Sequence, residues 1–397
     1  MATKVSNPPS TPQAALAAPV SSATSKRVFG ADLMRAIAIL IVIIPHGLNA
    51  FSTPIHNRLG QVGLLGGTMG VEIFFVLSGF LIGSILLSLA PDFNNIRVLP
   101  SFWLRRWFRT LPNYYLFIII NIVLILLLFP KQTIPNIAPY LVFSQNWLWP
   151  NPLGFFQEAW SLAVEEWFYL LFPISLFLIY RLSKSFTTAF LLSAVIFIII
   201  PTLVRVQMAF MPNLINWDEN FRKVMFIRLD AIMYGVLAAW IKKRFLANWI
   251  KFRIPFLVIG SLILFFTWLF ALQQTFNTSF FAKTFLFSLI SIGVACTLPV
   301  CDQWTISKEN VLTRLIRSIA LWSYSMYLSN LLIVRVFIYI RPKIPPHPFL
   351  VDVIFFILFY VICAAISAVI YTYFEKPTTA LREKFTATKN ATGSHAA

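Results

Sequence analysis

The chain has 397 residues, of which 58% are hydrophobic and only 12% are charged, and 40 of its residues are phenylalanine. A soluble domain holds roughly twice that share of charged residues, so the composition excludes an ordinary soluble protein. The formal net charge of +18 would suit a nucleic-acid-binding protein, and the distribution of the basic residues has to decide this point.

Apolar runs recur along the whole sequence, and each is long enough to cross a hydrocarbon layer about 30 Å thick. They predict an all-α polytopic membrane protein with about ten transmembrane helices. Residues 1–28 are predicted to be a disordered cytoplasmic tail, 29–377 a transmembrane domain, and 378–397 a short cytoplasmic tail. The predicted spans are 29–51, 67–90, 108–129, 159–180, 186–207, 224–241, 254–273, 279–299, 318–340 and 350–374.

The basic residues divide unevenly between the two sides of these spans. Segments on the side of the N-terminus carry 21 of the 32 Lys and Arg residues, and the opposite loops carry six. This asymmetry is typical of cytoplasmic segments, so both the N-terminus and the C-terminus are predicted to be cytoplasmic. Topology therefore accounts for the positive charge, and no nucleic-acid partner is predicted.

The first predicted span carries Arg35 and His46 with ten residues between them that include no hydrophilic side chain. In a helix this spacing places both residues on one face, about 16 Å apart. Asp32 lies one turn before Arg35 and can pair with it, whereas Pro45 can kink the helix next to His46. Ionisable residues inside a membrane are costly and usually face a bundle interior or a wet cavity, so both are candidate functional residues.

Polar residues of other spans are predicted to share the depth of His46 in the outer half of the membrane. This common depth predicts a functional layer, because scattered structural residues would have no reason to share it. Glu165 is favoured over its neighbour Glu166, since it lies on the same helix face as Ser161 and Tyr169. The layer comprises Glu72, Glu165, Glu166, Arg228, Asp230, Asn330 and Arg335, of which Arg228 and Asp230 are expected to form a structural ion pair.

The segment 102–109, just before the third predicted span, alternates cations with aromatic residues. Its arginines Arg105, Arg106 and Arg109 have the planar donor groups that bind phosphate oxygens in pairs. Arginine and tryptophan also anchor helices at the membrane interface, and this alternative remains open.

Cys296 and Cys363, together with the third cysteine, match no metal or redox spacing, so neither a metal site nor a disulfide framework is predicted.

Several motifs, in their order along 29–377, resemble those of the membrane acyltransferase-3 family. These are Arg35 and His46 with their spacing, 70–81, the Arg105, Arg106 and Arg109 cluster, 160–169, Arg228 and Asp230 with Gly235, 323–327, and Glu375 with Lys376 and Pro377.

The resemblance implies a bacterial inner-membrane O-acyltransferase that moves an acyl group, commonly acetyl from cytoplasmic acetyl-CoA, to a hydroxyl of a carbohydrate. The acceptor would be a cell-surface or lipid-linked glycan such as O-antigen or exopolysaccharide. The resemblance also implies that Arg35 and His46 are catalytic and that Arg105, Arg106 and Arg109 contact the phosphates of CoA.

The sequence departs from the family pattern in two places. Many relatives have an aromatic residue followed by His where this chain has Ser329 and Asn330. Some members continue into a periplasmic hydrolase-like domain, and no such domain is predicted after the last span here.

Acyl transfer to a hydroxyl requires a base that takes the proton and donors that stabilise the oxyanion. His46 is the one histidine in a predicted span, and it is predicted to act as base or transient acyl carrier. Glu72, on the adjacent span, is predicted to orient it, and Glu165 is a further catalytic candidate. The donor is expected to reach His46 from the arginine cluster along the Arg35 face, and the acceptor from the opposite side.

Two other functions are alternatives for this sequence. A transporter or flippase could use the same charges to bind a solute, but it would be expected to show internal repeats, and none is visible. A second membrane acyltransferase family relies on a His and an Asn late in the chain, and Asn330 has no such histidine near it in the sequence.

Overall fold

The computed structural model describes residues 28–48, 53–96, 98–273, 276–343 and 349–382, so most of both predicted tails lies outside the described residues. The described part is helical and contains no strand. Its long helices are α1 (Phe29–Gly47), α2 (Thr53–Ser88), α3 (Val98–Leu128), α4 (Ala159–Ser183), α5 (Phe186–Ala209), α6 (Leu229–Arg244), α7 (Arg253–Ala271), α8 (Leu286–Gln303), α9 (Val311–Ile340) and α10 (Phe349–Ile370).

The all-α membrane-spanning fold is confirmed. Nine helices in the described ranges are long and apolar enough to cross a membrane. The other predicted span, 224–241, corresponds to α6, which has 16 residues and follows a short 3₁₀ turn at Phe226–Arg228. Beyond α10 the chain stays helical as far as Arg382, so the first residues of the predicted C-terminal tail belong to a helix.

Glycines allow α2 to approach its neighbours at backbone distance. A Cβ atom on Gly79 would lie 1.9 Å from the carbonyl oxygen of Ile232 on α6, and one on Gly235 would lie 1.9 Å from that of Val76 on α2. On the other side of α2, a Cβ on Gly70 would lie 2.6 Å from a carbonyl oxygen of α1. The three glycines therefore permit close helix packing, as small residues do between membrane helices.

Two buried ion pairs join helices around α6. Arg205 of α5 binds Asp230 through two hydrogen bonds of 2.8 and 2.7 Å, and Arg228 pairs with Glu72 of α2. The predicted pair of Arg228 with Asp230 is therefore wrong. The two residues are two positions apart at the start of α6 and so diverge by about 200°, which turns each toward a different neighbouring helix.

Helix α1 continues through Pro45 to Gly47, so the interval from Arg35 to His46 is helical. Two glycines of α2 pack on the proline ring, since Cβ atoms on Gly63 and Gly67 would lie 3.1 and 3.2 Å from it. The rise of a helix then separates Arg35 and His46 by about 16 Å, as predicted.

Both ends of the described chain lie at one end of the bundle, because Arg35 near the start of α1 and Arg382 line the same cavity. This agrees with an even number of crossings. The distribution of basic residues predicts that this end of the bundle faces the cytoplasm.

Candidate active site

Three cavities follow one another through the bundle. The histidine chamber, of about 260 Å³, is lined by His46 and by residues of α2, α4, α9 and the segment after α5. The middle cavity, of about 110 Å³, is lined by residues of α1 to α4 and α9, among them Arg35 and Glu165. The basic chamber, of about 430 Å³, is lined by Arg35, Arg109 and the helical segment after α10.

Neighbouring cavities share walls. Val71 and Tyr327 line both the histidine chamber and the middle cavity. Arg35 and Arg109 line both the middle cavity and the basic chamber. The cavities therefore form a row, with cations at one end and His46 at the other.

Asn330 of α9 holds the imidazole of His46. Its amide nitrogen donates to the backbone oxygens of Met326 and Tyr327, at 3.2 and 2.6 Å, which turns its Oδ1 toward the histidine. The Nδ1 of His46 lies 2.5 Å from this Oδ1. Because an amide oxygen only accepts, Nδ1 carries the proton, and Nε2 carries the lone pair that a base needs.

Glu72 was predicted to orient His46, and the structure contradicts that role. One carboxylate oxygen of Glu72 pairs with Arg228, and the other accepts a 2.7 Å hydrogen bond from Ser291 of α8. The carboxylate therefore faces α6 and α8, away from the row of cavities. The sequence analysis therefore predicted the wrong partner for Glu72.

Charged residues from segments outside the spans complete the histidine chamber. Asp218, Arg222 and Lys223, in the helical turn after α5, line it together with Glu158 and Trp160. Lys223 lies 2.6 Å from Asp218, and the guanidinium of Arg222 lies 4.9 Å from the ring centre of Trp160. Burial alone would raise the pKa of the Asp218 carboxyl, but Arg222 and Lys223 outweigh burial and hold that pKa below its usual range.

Glu158 immediately precedes α4 and is buried, with 4% of its surface exposed. Its Oε1 has no hydrogen-bond partner in the described part of the chain. Desolvation by this burial raises the pKa of Glu158 to about 8. Glu158 is thus a buried carboxyl group of the histidine chamber, and the sequence analysis did not select it.

The middle cavity has polar walls centred on Tyr169. Its hydroxyl donates to Oε2 of Glu165 at 2.8 Å, accepts from Nη2 of Arg106 at 3.0 Å and also contacts Ser78. Glu165, Ser161 and Tyr169 line this cavity together, as their predicted common helix face requires. Glu165 was placed in one layer with His46, however, and it lies instead in the neighbouring cavity with Arg35 and Arg106.

A hydrogen bond between hydroxyls stands where the middle cavity meets the histidine chamber. Ser161 Oγ lies 2.6 Å from the hydroxyl of Tyr327, a residue that lines both cavities. The same hydroxyl lies 3.2 Å from the backbone oxygen of Glu158.

The three arginines predicted to bind phosphate lie on α3 but differ in their surroundings. Arg106 lies over the ring of Tyr169, 4.6 Å from its centre. Arg109 is exposed and borders both the middle cavity and the basic chamber. Arg105 is exposed and lines none of the three cavities.

Comparison with known proteins identifies the family of the chain. Residues 28–372 match the acyltransferase-3 family, described as an acyltransferase domain. The chain belongs to the acyltransferase-3 family. This membership does not favour the alternative of a transporter or flippase.

Two curated relatives of this chain come from Staphylococcus aureus. The O-acetyltransferase OatA of strain NCTC 8325 is 27% identical over 379 residues, which cover 88% of this chain and 56% of the relative. A protein of strain COL, provisionally named as an O-acetyltransferase, is 28% identical over 356 residues, 83% of this chain and 55% of the relative. The chain therefore spans about half the length of these relatives, and no solved structure matches it.

The polar residues that line the cavities include His, Arg, Lys, Tyr and Ser side chains and carboxylates. No group of three or more potential metal ligands occurs among the residues that the structure describes. The arrangement can supply a base, hydroxyl donors and cations, which are the groups that acyl transfer requires.

Proposed function

We propose that this protein is a membrane O-acetyltransferase of the bacterial inner membrane, which transfers acetyl from acetyl-CoA to a hydroxyl of a cell-surface or lipid-linked carbohydrate. The observation that carries the proposal is the row of cavities, which share walls from the cationic end to His46. The relatives named as O-acetyltransferases support the acetyl group and the hydroxyl acceptor.

The acyl donor enters at the cationic end. Arg109 and Arg35 border both cavities there, so they suit a long ligand with phosphates at one end and a thioester at the other. Arg106 is held by Tyr169 and lines the middle cavity, where it positions the arm of the donor. Arg105, on the exposed surface, adds long-range attraction for the anionic donor.

The reaction takes place where the middle cavity meets the histidine chamber. Nε2 of His46 removes the proton from the acceptor hydroxyl, whose oxygen attacks the carbonyl carbon of the thioester. At this junction the hydroxyls of Tyr327 and Ser161 rotate from their hydrogen bonds with each other and with the backbone oxygen of Glu158 and donate to the oxyanion. The carbon–sulfur bond then breaks, the imidazolium returns its proton to the sulfur, and the ester and free CoA leave.

The acceptor enters the histidine chamber from the opposite end. Glu158, Asp218, Arg222 and Lys223 give this chamber hydrogen-bonding groups that suit a hydroxyl-rich ligand. If the cationic end faces the cytoplasm, as the basic residues predict, the donor is cytoplasmic and the acceptor lies outside the cytoplasm.

Replacing His46 tests the proposed function. In purified protein reconstituted with acetyl-CoA and the glycan of the source cell, His46→Ala is expected to lower the turnover number by about 10²- to 10⁴-fold, the usual contribution of a general base. Release of free CoA thiol and the mass gain of one acetyl group per modified sugar give two independent readouts.

The matched control is Cys296→Ala on α8, a partly buried residue that lines none of the three cavities. It should transfer acetyl like the unmodified protein. Equal transfer by His46→Ala and by this control would rule out His46 as the base.

A further inference from the structure

The basic chamber has a wall that the sequence analysis did not assign to any ligand. Lys376 and Arg382, in the helical segment that follows α10, line it together with Arg35 and Arg109. Four cations therefore surround a cavity of about 430 Å³, against one carboxylate, Glu375.

The carboxylate of Glu375 is turned into the protein. Its Oε2 accepts hydrogen bonds from Ser325 at 2.6 Å and from Asn113 at 3.2 Å, and the residue is 7% exposed. The negative charge is thus bound to α3 and α9. Four cations remain in the lining of the chamber, of which Arg35 also pairs with Asp32 at 3.4 Å.

A π-helical turn at Tyr371–Glu375 produces this arrangement. Its wider turn directs Glu375 inward, and the helix that follows presents Lys376, Thr379 and Arg382 at three-residue spacing along the chamber. π-turns are uncommon and occur often at functional sites.

We propose that Lys376 and Arg382, with Arg109, bind the phosphates of the nucleotide end of the acyl donor, and that the segment after α10 is therefore part of the donor site. The inference rests on the proposed function, because the basic chamber adjoins the middle cavity through Arg35 and Arg109. A polyanion seated between Lys376, Arg382 and Arg109 leaves the acyl end of the donor directed into the middle cavity.

The binding experiment uses 3′,5′-ADP, which carries nucleotide phosphates but no acyl arm. Its Kd for the full chain in nanodiscs of neutral lipid is compared between the unmodified protein and the double variant Lys376→Glu/Arg382→Glu. The affinity is expected to fall at least about tenfold, since two charge-assisted contacts are lost. The milder variant Lys376→Ala/Arg382→Ala should show a smaller loss in the same direction.

The matched control is Lys308→Glu/Arg314→Glu, which makes the same change of charge on exposed residues that line none of the three cavities. It should bind 3′,5′-ADP like the unmodified protein. Equal losses of 3′,5′-ADP affinity in the test variant and in this control would show that overall charge causes the loss, and this result would overturn the inference.

The catalytic experiment compares acetyl-CoA with acetyl-pantetheine, which lacks the nucleotide. The ratio of kcat/KM for acetyl-CoA to kcat/KM for acetyl-pantetheine should fall about tenfold in Lys376→Glu/Arg382→Glu. An unchanged ratio would overturn the inference. So would a loss that appears only in nanodiscs containing anionic lipid, because the cations would then bind a lipid phosphate.

The two readouts separate this inference from the proposed function. Tight 3′,5′-ADP binding without acetyl transfer by the unmodified protein would reject the acetyltransferase and leave the nucleotide site intact. Acetyl transfer together with unaltered 3′,5′-ADP binding in the test variant would reject the nucleotide site alone.

Discussion

At the scale of single residues, the contact between His46 and Asn330 determines which nitrogen of the imidazole can act as a base. The place of His46 on one helix face with Arg35 was predictable from the spacing in α1. The identity of its partner was not, because Asn330 lies far along the chain, and only the packing of α9 against α1 brings the two together. Depth alone had favoured Glu72, whose carboxylate is committed to Arg228 and Ser291.

The sequence analysis did not select Glu158, because the position of this residue in the chamber depends on the three-dimensional fold. It stands just outside α4, in a stretch that reads as a loop, and only the fold places it in the histidine chamber. No sequence pattern predicts that a loop residue will line a cavity, whereas an ionisable residue inside an apolar run is recognised from the sequence alone.

The pKa of Glu158 leads to a stability prediction. Because burial raises this pKa from 4.5 to about 8, the folded chain binds more protons than the unfolded chain between these values, so its stability falls as the pH rises through this window. Glu158→Gln, which stays neutral, should lose less thermal stability between pH 5 and pH 9, on the order of a few degrees.

The control for this measurement is Asp92→Asn, since Asp92 is an exposed carboxyl far from the chamber in sequence. Its pH dependence should match that of the unmodified protein. If Glu158→Gln also matched it, the carboxyl of Glu158 would titrate without a cost from burial.

At the scale of helices, apolar runs predicted where most spans lie, but the starts of α2, α3, α8 and α9 differ from the predicted starts by 7 to 14 residues. Two other differences have local causes. Helix α6 is short because a 3₁₀ turn precedes it and because its buried charges are satisfied by α2 and α5. The helix after α10 continues through a π-turn, and a hydropathy pattern does not predict such a turn.

The close contact of α2 with α6 gives a prediction about packing. Gly79→Ala should destabilise the protein by about 1–3 kcal/mol, because the added methyl group meets a carbonyl oxygen 1.9 Å away and the helices must separate. Thermal unfolding in detergent, followed by circular dichroism, measures this loss.

Gly66→Ala is the matched control on the same helix, since its nearest neighbour, a carbonyl oxygen of α1, would be 3.8 Å away. It should unfold at or near the temperature of the unmodified protein. Comparable losses in both variants would contradict the prediction, because Gly66 has no close neighbour and alanine is the better helix former, so contact with α6 would not explain the loss at Gly79.

At the scale of the whole molecule, the cavities connect two ends of different electrostatic character. Sequence predicted this division in outline, with arginines at one end and His46 toward the other, and the family resemblance gave it a chemical meaning. The sequence did not predict that the segment after α10 would border the cationic end. It also did not predict that the turn at Asp218–Arg222 would border the histidine end. Both depend on connections that cross the bundle ends, where hydropathy carries no information.

The central claim is that donor and acceptor enter from opposite ends of this row. It is tested most directly in sealed vesicles of known orientation, with acetyl-CoA supplied on one side and the glycan acceptor on the other. We predict acetyl transfer when acetyl-CoA is on the side of Arg35 and Arg382 and the glycan is on the opposite side, and no transfer when the two are exchanged. Equal transfer in both arrangements, or transfer only when both substrates share one side, would contradict the account.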